Sequence, residues 1–370
     1  MRIAFYAPLK PIDHPTPSGD RRMARSFKSL LEELGHEVVI ASSLRSFDRS
    51  GDVGHQEYIR EAAAREACKI LACPGSVPDL WFTYHAYHKA PDWIGPEVSA
   101  HLGIPYIVAE ASIAGKQANG PWAMGHEATL SGLASASHLL AMTTVDLAGL
   151  REHLPAVDVS HFPPFIDCAH FSAKRDRTRI AGRFGLPEEA VWIVAVAMMR
   201  NDIKRRSFEL LAAAFEQIDD HDVHLVIAGD GEARTVVEDL FANSAPRVHF
   251  LGLLDPGAVA TLLSSADLML WPALREAYGL AMLEAQAAGL PVVACREGGV
   301  GDIIADGLTG ILVNERDAHA LAAAVRYLLD NETIREAMGK AAKSRVHRVH
   351  DVAVAAERLS AILNEVRPCV

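Results

Sequence analysis

Ile3-Ala4-Phe5-Tyr6-Ala7, a loop bearing Pro15, Pro17, Ser18 and Gly19, a helical stretch over 20–34, Gly35, and then Val38-Val39-Ile40-Ala41 form the opening that decides the fold. A short apolar run, a Gly-bearing loop, a helix and a second apolar run make a βαβ unit. Further apolar strands are expected at 80–83, 106–109 and 138–142, each separated by helical or turn-rich sequence, so the first half reads as a parallel sheet covered by helices. Phe162-Pro163-Pro164-Phe165-Ile166-Asp167 interrupts it, because two prolines do not fit inside a helix or a central strand, and irregular basic sequence follows to Arg183.

Beyond that break the pattern restarts. Strands are expected at 192–198, 224–228, 249–250, 268–271 and 291–294, with helices near 207–217, 233–241, 257–264 and 280–288. Glycine- or proline-rich turns punctuate every crossover. The chain therefore reads as α/β, with two Rossmann-like doubly wound domains facing a cleft. The expected boundaries are 1–170, 171–345, and a C-terminal helix over 346–370 that packs back on the first domain. Doubly wound sheets bind ligands beyond the carboxyl ends of their strands, which is where candidate residues are sought.

The chain's 370 residues suit two such domains. With 50% hydrophobic and 22% charged residues it falls among soluble globular proteins. The net charge of −11 divides almost evenly, with 14 basic and 19 acidic residues in 1–172 and 22 and 28 in 173–370, so neither half is a basic nucleic-acid module. Five scattered cysteines, Cys68, Cys73, Cys168, Cys295 and Cys369, contain no Cys-x-x-Cys pair and suggest reduced thiols. The N-terminal apolar stretch is shorter than a signal-peptide core of about 7–15 residues. The run 190–199 is shorter than the roughly 20 residues that span a bilayer. A cytoplasmic location is expected, with any membrane contact peripheral.

The most informative segment is Pro272-Ala273-Leu274-Arg275-Glu276-Ala277-Tyr278-Gly279-Leu280-Ala281-Met282-Leu283-Glu284-Ala285, which follows a strand and opens a helix. Gly279 permits close backbone approach, and the N–H groups of Gly279, Leu280 and Ala281 at the helix start suit a phosphate. A carboxylate at the start of a helix is ordinary capping, worth about 0.3–1 kcal/mol, but Glu284 lies too far along for that. Carboxylates that accept two hydrogen bonds each suit the vicinal hydroxyls of a sugar and a ribose.

With its two glutamates separated by seven residues behind a strand, this segment resembles the family 4 retaining glycosyltransferases of GT-B fold, as does Ala287-Ala288-Gly289-Leu290-Pro291-Val292-Val293 downstream. The resemblance implies Glu276 on the donor sugar and Glu284 on the ribose. In Met198-Met199-Arg200-Asn201-Asp202-Ile203-Lys204-Arg205-Arg206, Arg200 and Lys204 resemble the family's arginine and lysine that hold the diphosphate. Fixed cations of this kind stabilise a diphosphate leaving group. The family often spaces the pair by one more residue, which leaves Arg205 or Arg206 as a substitute for Lys204. A solvated basic turn is the plain alternative. Gly229-Asp230-Gly231 lacks the third glycine of a dinucleotide fingerprint. In the family it borders the nucleotide pocket, while simple strand-to-helix turn chemistry is the plainer reading.

In the first half, Ser18 and Gly19 occupy the place of the family's two-glycine loop, which approaches the diphosphate and the acceptor. Arg21 and Arg22 are opposed by the helix dipole and so suggest a nearby anion, unless they belong to a solvated face with Arg25 and Lys28. Tyr84-His85-Ala86-Tyr87-His88-Lys89 offers histidines for substrate contact or for a structural loop, without a third ligand at zinc spacing. Asp220-His221-Asp222 reads as a polar turn. The family's histidine near the reacting carbon is absent after 106–109. Glu110 stands there instead, with His126 further on, and either is a candidate to replace it.

These readings point to a metal-independent transferase with a nucleoside diphosphate sugar as donor, an acceptor the sequence does not name, and no cofactor. The rivals are a sugar-nucleotide epimerase of the same fold and a non-catalytic carbohydrate-binding relative.

Overall fold

A computed structural model describes the chain except for Pro17, residues 74–76, Ala173, His221, Glu315 and residues 367–370. Pro17, His221 and Cys369 of the sequence reading therefore lie outside the described residues. The chain forms two compact units, Met1–Pro164 with Ala353–Val370, and Phe165–Val352. The first crossing falls directly after the Pro163-Pro164 pair. The second follows the helix Glu332–Val349, which buries Met338, Ala342 and Val346 and runs unbroken through residue 346.

The first unit holds six parallel strands: β1 (Arg2–Tyr6), β2 (Glu37–Ile40), β3 (Leu80–Ala86), β4 (Tyr106–Ala111), β5 (His138–Ala141) and β6 (Val159–His161). Their order is β2-β1-β3-β4-β5-β6. β3 and β4 are buried almost throughout, as expected for strands covered on both faces. The helix Gly19–Glu33 buries Met23, Ala24, Phe27, Leu30 and Leu31 on one stripe. Its Phe27 lies 5.5 Å from Phe82 and 5.6 Å from Tyr84, ring to ring, which holds the start of this helix beside the end of β3.

The second unit repeats the plan with β7 (Val191–Val196), β8 (Val223–Ala228), β9 (Val248–Gly252), β10 (Leu268–Leu270), β11 (Val292–Cys295) and β12 (Gly310–Val313), ordered β12-β11-β10-β7-β8-β9. Phe208 of the helix Ile203–Phe215 packs edge-on against Trp271 at 5.1 Å, joining that helix to the end of β10.

Sheet order reverses between β1 and β3 in one unit and between β7 and β10 in the other, so each sheet opens its ligand crevice at those strand ends. The sequence reading omits β6 and β12, which have three and four residues, and does not delimit the helix Val53–Leu71. It also starts one helix late. Asp202 caps Lys204 N at 2.8 Å, so the helix opens at Ile203 and Lys204 lies in its first turn.

Candidate functional site

At the β7/β10 reversal the loop 271–279 is bent out of ordinary backbone geometry. Ala273 and Arg275 have φ of 58° and 51°, values that cost an L-residue roughly 1–3 kcal/mol each. The surroundings impose this shape. Ser207 Oγ accepts a hydrogen bond from Leu274 N at 3.2 Å, Glu297 Oε2 accepts one from Arg275 N, and Ala277 O accepts one from Gly299 N at 2.7 Å. Gly298, at φ 49°, lies so close that a Cβ would strike the Glu276 carbonyl. The loop ends at Gly279, φ 80°, and the helix Leu280–Ala287 begins with no side-chain cap. Its first amides have no carbonyl partner within the helix and carry the positive end of its dipole.

Lys204 Nζ donates to Glu276 Oε1, which also accepts from Trp271 Nε1 at 3.4 Å. The ammonium lies 5.5 Å from the Trp271 ring centre. Burial pushes the Lys204 pKa down to about 8, with Arg200 adding repulsion and Asp202 opposing both. A lysine in the first turn of a helix meets an unfavourable dipole, and this one meets a neighbouring cation as well. Glu276 answers that cost in part. Arg205 pairs with Glu209 at 3.3 Å and Arg206 is exposed, whereas Lys204 reaches Glu276. Lys204 is not a solvated turn residue, because its side chain is only 23% exposed. Glu284 lies inside the helix and is 4% exposed.

Gly229 and Gly231 press the turn after β8 onto the segment after β7. A Cβ at either would strike the carbonyl of Ala197 or Met199. Met199 N donates to Asp230 O at 3.0 Å and Ala233 N to Met199 O at 3.0 Å, so this turn fixes the backbone that presents Arg200. Glu297 is the residue the sequence reading passes over. It is 8% exposed, and its Oε1 is buried without a hydrogen-bond partner.

At the β1/β3 reversal, His85 Nδ1 lies 2.6 Å from Asp20 Oδ1 and 3.5 Å from Glu110 Oε1, and Tyr84 donates its hydroxyl to Glu110 Oε2. His85 and Glu110 end adjacent strands with φ of 62° and 55°. Burial alone would lower the His85 pKa, but the fields of Glu110 and Asp20 and the Asp20 hydrogen bond overcome it and raise the value to about 9. The imidazole is protonated at neutral pH. Asp20, His85 and Glu110 offer ligand atoms within 4.8 Å of one another, as do Cys168, His347 and Asp351 in the second unit.

His126 is elsewhere, buried in the helix Ala123–Ala134. Burial first, then Lys89 and His126, push the neighbouring His88 down to about 4. The cluster thus forms around Glu110 without His126. Ser18 caps the helix by accepting from Arg21 N at 3.2 Å, and Gly19 is the first helical residue. Arg21 and Arg25 donate to carbonyls of the preceding loop, at His14 and at Ile12 (2.7 Å), so their charge fastens that loop.

Comparison with known proteins bears first on the second unit. The profile of the family described as Glycosyl transferases group 1 matches residues 183–345, all within that unit. That match spans less than half of the chain, and it is residues 183–345 that resemble the group 1 glycosyl transferases. Among curated proteins similar to this chain, a D-inositol 3-phosphate glycosyltransferase from Corynebacterium glutamicum is 28% identical over 242 residues, covering 62% of this chain and 58% of the relative. A phosphatidyl-myo-inositol mannosyltransferase from Mycolicibacterium smegmatis is 27% identical over 94% of this chain and 90% of its own. The first three curated relatives are matched over 58%, 44% and 50% of their lengths, so the chain spans about half of them.

Solved structures agree on a GT-B fold for this chain. Sucrose-phosphate synthase from Thermosynechococcus elongatus superposes with a TM-score of 0.75 at 20% identity over 99% of this chain and 98% of the other. Anabaena Alr3699/HepE in complex with UDP-glucose gives a TM-score of 0.72 at 16% identity over 99% and 100%.

Proposed function

We propose that this chain is a family 4 enzyme that transfers a sugar from a nucleoside diphosphate to an acceptor hydroxyl with retention of configuration. The observation that carries the reading is the meeting of Lys204 and Glu276 at the β7/β10 reversal, beside an uncapped helix start. A diphosphate placed there would find fixed cations in Lys204 and Arg200 together with unpaired amides, an arrangement that stabilises charge as the leaving group departs. Glu276 would then exchange its lysine for sugar hydroxyls, and the buried Glu284 is assigned to the ribose. Gly279 and Leu280 border the phosphate, and Gly229 shapes the backbone behind Arg200. No separate nucleophile is assigned, since the departing phosphate is the base that front-face attack requires. Glu110 belongs to the acceptor side of the chemistry, and His126 receives no role.

UDP is the first donor nucleotide to test, because a similar fold is known in complex with UDP-glucose. Thermal melting with a panel of nucleoside diphosphates is the experiment. A nucleotide at a hundredfold excess over its Kd adds about 2.7 kcal/mol of stability. Melting unchanged by every member of the panel would sink this reading.

A further inference from the structure

The β1/β3 reversal of the first unit holds buried charge that the proposed donor chemistry does not use. Two L-residues at the ends of adjacent strands are held at φ of 62° and 55°, and three ionisable groups are packed together there. Asp20 Oδ1 and Glu110 Oε1 share the Nδ1 edge of one imidazole, and Glu110 Oε2 takes the Tyr84 hydroxyl. Asp20 Oδ2 is buried and accepts no hydrogen bond. One imidazolium faces two carboxylates, and Asp146 adds a further negative field at His85.

A buried carboxylate oxygen without a donor is unfavourable by about 1–3 kcal/mol, more for a charged group, until a donor reaches it. A phosphate placed there would add charge of the same sign in a poorly screened setting. We propose that Asp20, His85 and Glu110 form a binding site for hydrogen-bond donors on the acceptor, namely the hydroxyls of an uncharged polyol or the ammonium of an amino sugar, and that it excludes a phosphorylated group. The site rests on its own geometry, and describing its ligand as the acceptor rests on the function proposed above. Asp20 takes the donor on Oδ2, while His85 holds both carboxylates in orientation as a positioning residue.

The test follows the His85 ring resonance by NMR in the full chain labelled at histidine, assigned with His85→Gln. Separate titrations use myo-inositol, glucosamine, inorganic phosphate and Zn²⁺. Movement with myo-inositol or glucosamine and none with phosphate is expected, and Asp20→Asn should weaken that response about tenfold or more, the loss of one hydrogen bond to a charged group. Movement with phosphate, saturation by micromolar Zn²⁺, or silence with both hydroxyl and amine probes at high millimolar concentration overturns the proposal. Melting of the same protein with nucleoside diphosphates judges the donor reading separately, so the two failures are distinguishable.

Discussion

At the reversal of the first sheet two carboxylates share one imidazole, whereas at the reversal of the second a lysine, with an arginine close by, meets one carboxylate. The two sheets are nearly the same object, with six parallel strands each and the order reversing beside the first strand of each unit. The sign of the charge at the strand ends therefore owes nothing to the sheet. It is set by a few residues, Asp20 after β1 with His85 and Glu110 near the ends of β3 and β4 on one side, and Arg200, Lys204 and Glu276 after β7 and β10 on the other.

The contrast breaks most visibly if the cations of the second unit prove dispensable. Lys204→Ala and Arg200→Ala are each expected to lower turnover of the donor by about 10²–10³, the usual loss when one fixed stabilising group is removed. Release of nucleoside diphosphate measures it, and near-normal turnover would dissolve the distinction between the two sites. Gly229→Ala and Gly231→Ala should each destabilise the protein by about 1–3 kcal/mol by driving a Cβ into the carbonyls behind Arg200, read from urea midpoints.

A smaller effect sharpens the role of Glu297. Nucleotide sugar should lose about tenfold of its affinity advantage over the bare nucleoside diphosphate in Glu297→Ala, as the loop carrying Glu276 slackens. Glu297→Gln keeps an oxygen for Arg275 N and should retain most of that advantage. Calorimetry with the two ligands gives the ratio, and equal losses for both would assign Glu297 to packing alone.

The mildest effect concerns the first unit. His85 is held protonated more tightly in the folded chain, at about 9, than in the unfolded one, near 6.5. Its contribution to stability is therefore fully present below pH 6.5 and fades as pH rises through 9. Chemical denaturation across that window should show the decline, and His85→Gln should flatten it.

The strands that open each crevice were legible because Ile3-Ala4-Phe5-Tyr6 and Val194-Ala195-Val196 are short apolar runs, ended within a few residues by Pro8 in one case and Arg200 in the other. Glu276 and Lys204 were legible because each lies in the loop or first helical turn between such a strand and the next helix. The Asp20–His85–Glu110 cluster was not, since its members lie on three separate elements and converge only once β3 and β4 pair and Phe27 seats the helix. Ser18 and Arg21 look like ligand groups in sequence because a cap and a loop strap use the same polar atoms as an anion site. Glu297 carried no pattern, and its value comes from a backbone amide 22 residues away.

Lys204 has one more consequence. An amine that releases its proton near pH 8 is a free nucleophile in far greater proportion at neutral pH than a lysine titrating near 10.4. Acylating reagents used sparingly should therefore mark this position ahead of more exposed lysines such as Lys340, and a bound diphosphate should shield it, giving a chemical footprint of occupancy that needs no knowledge of the acceptor.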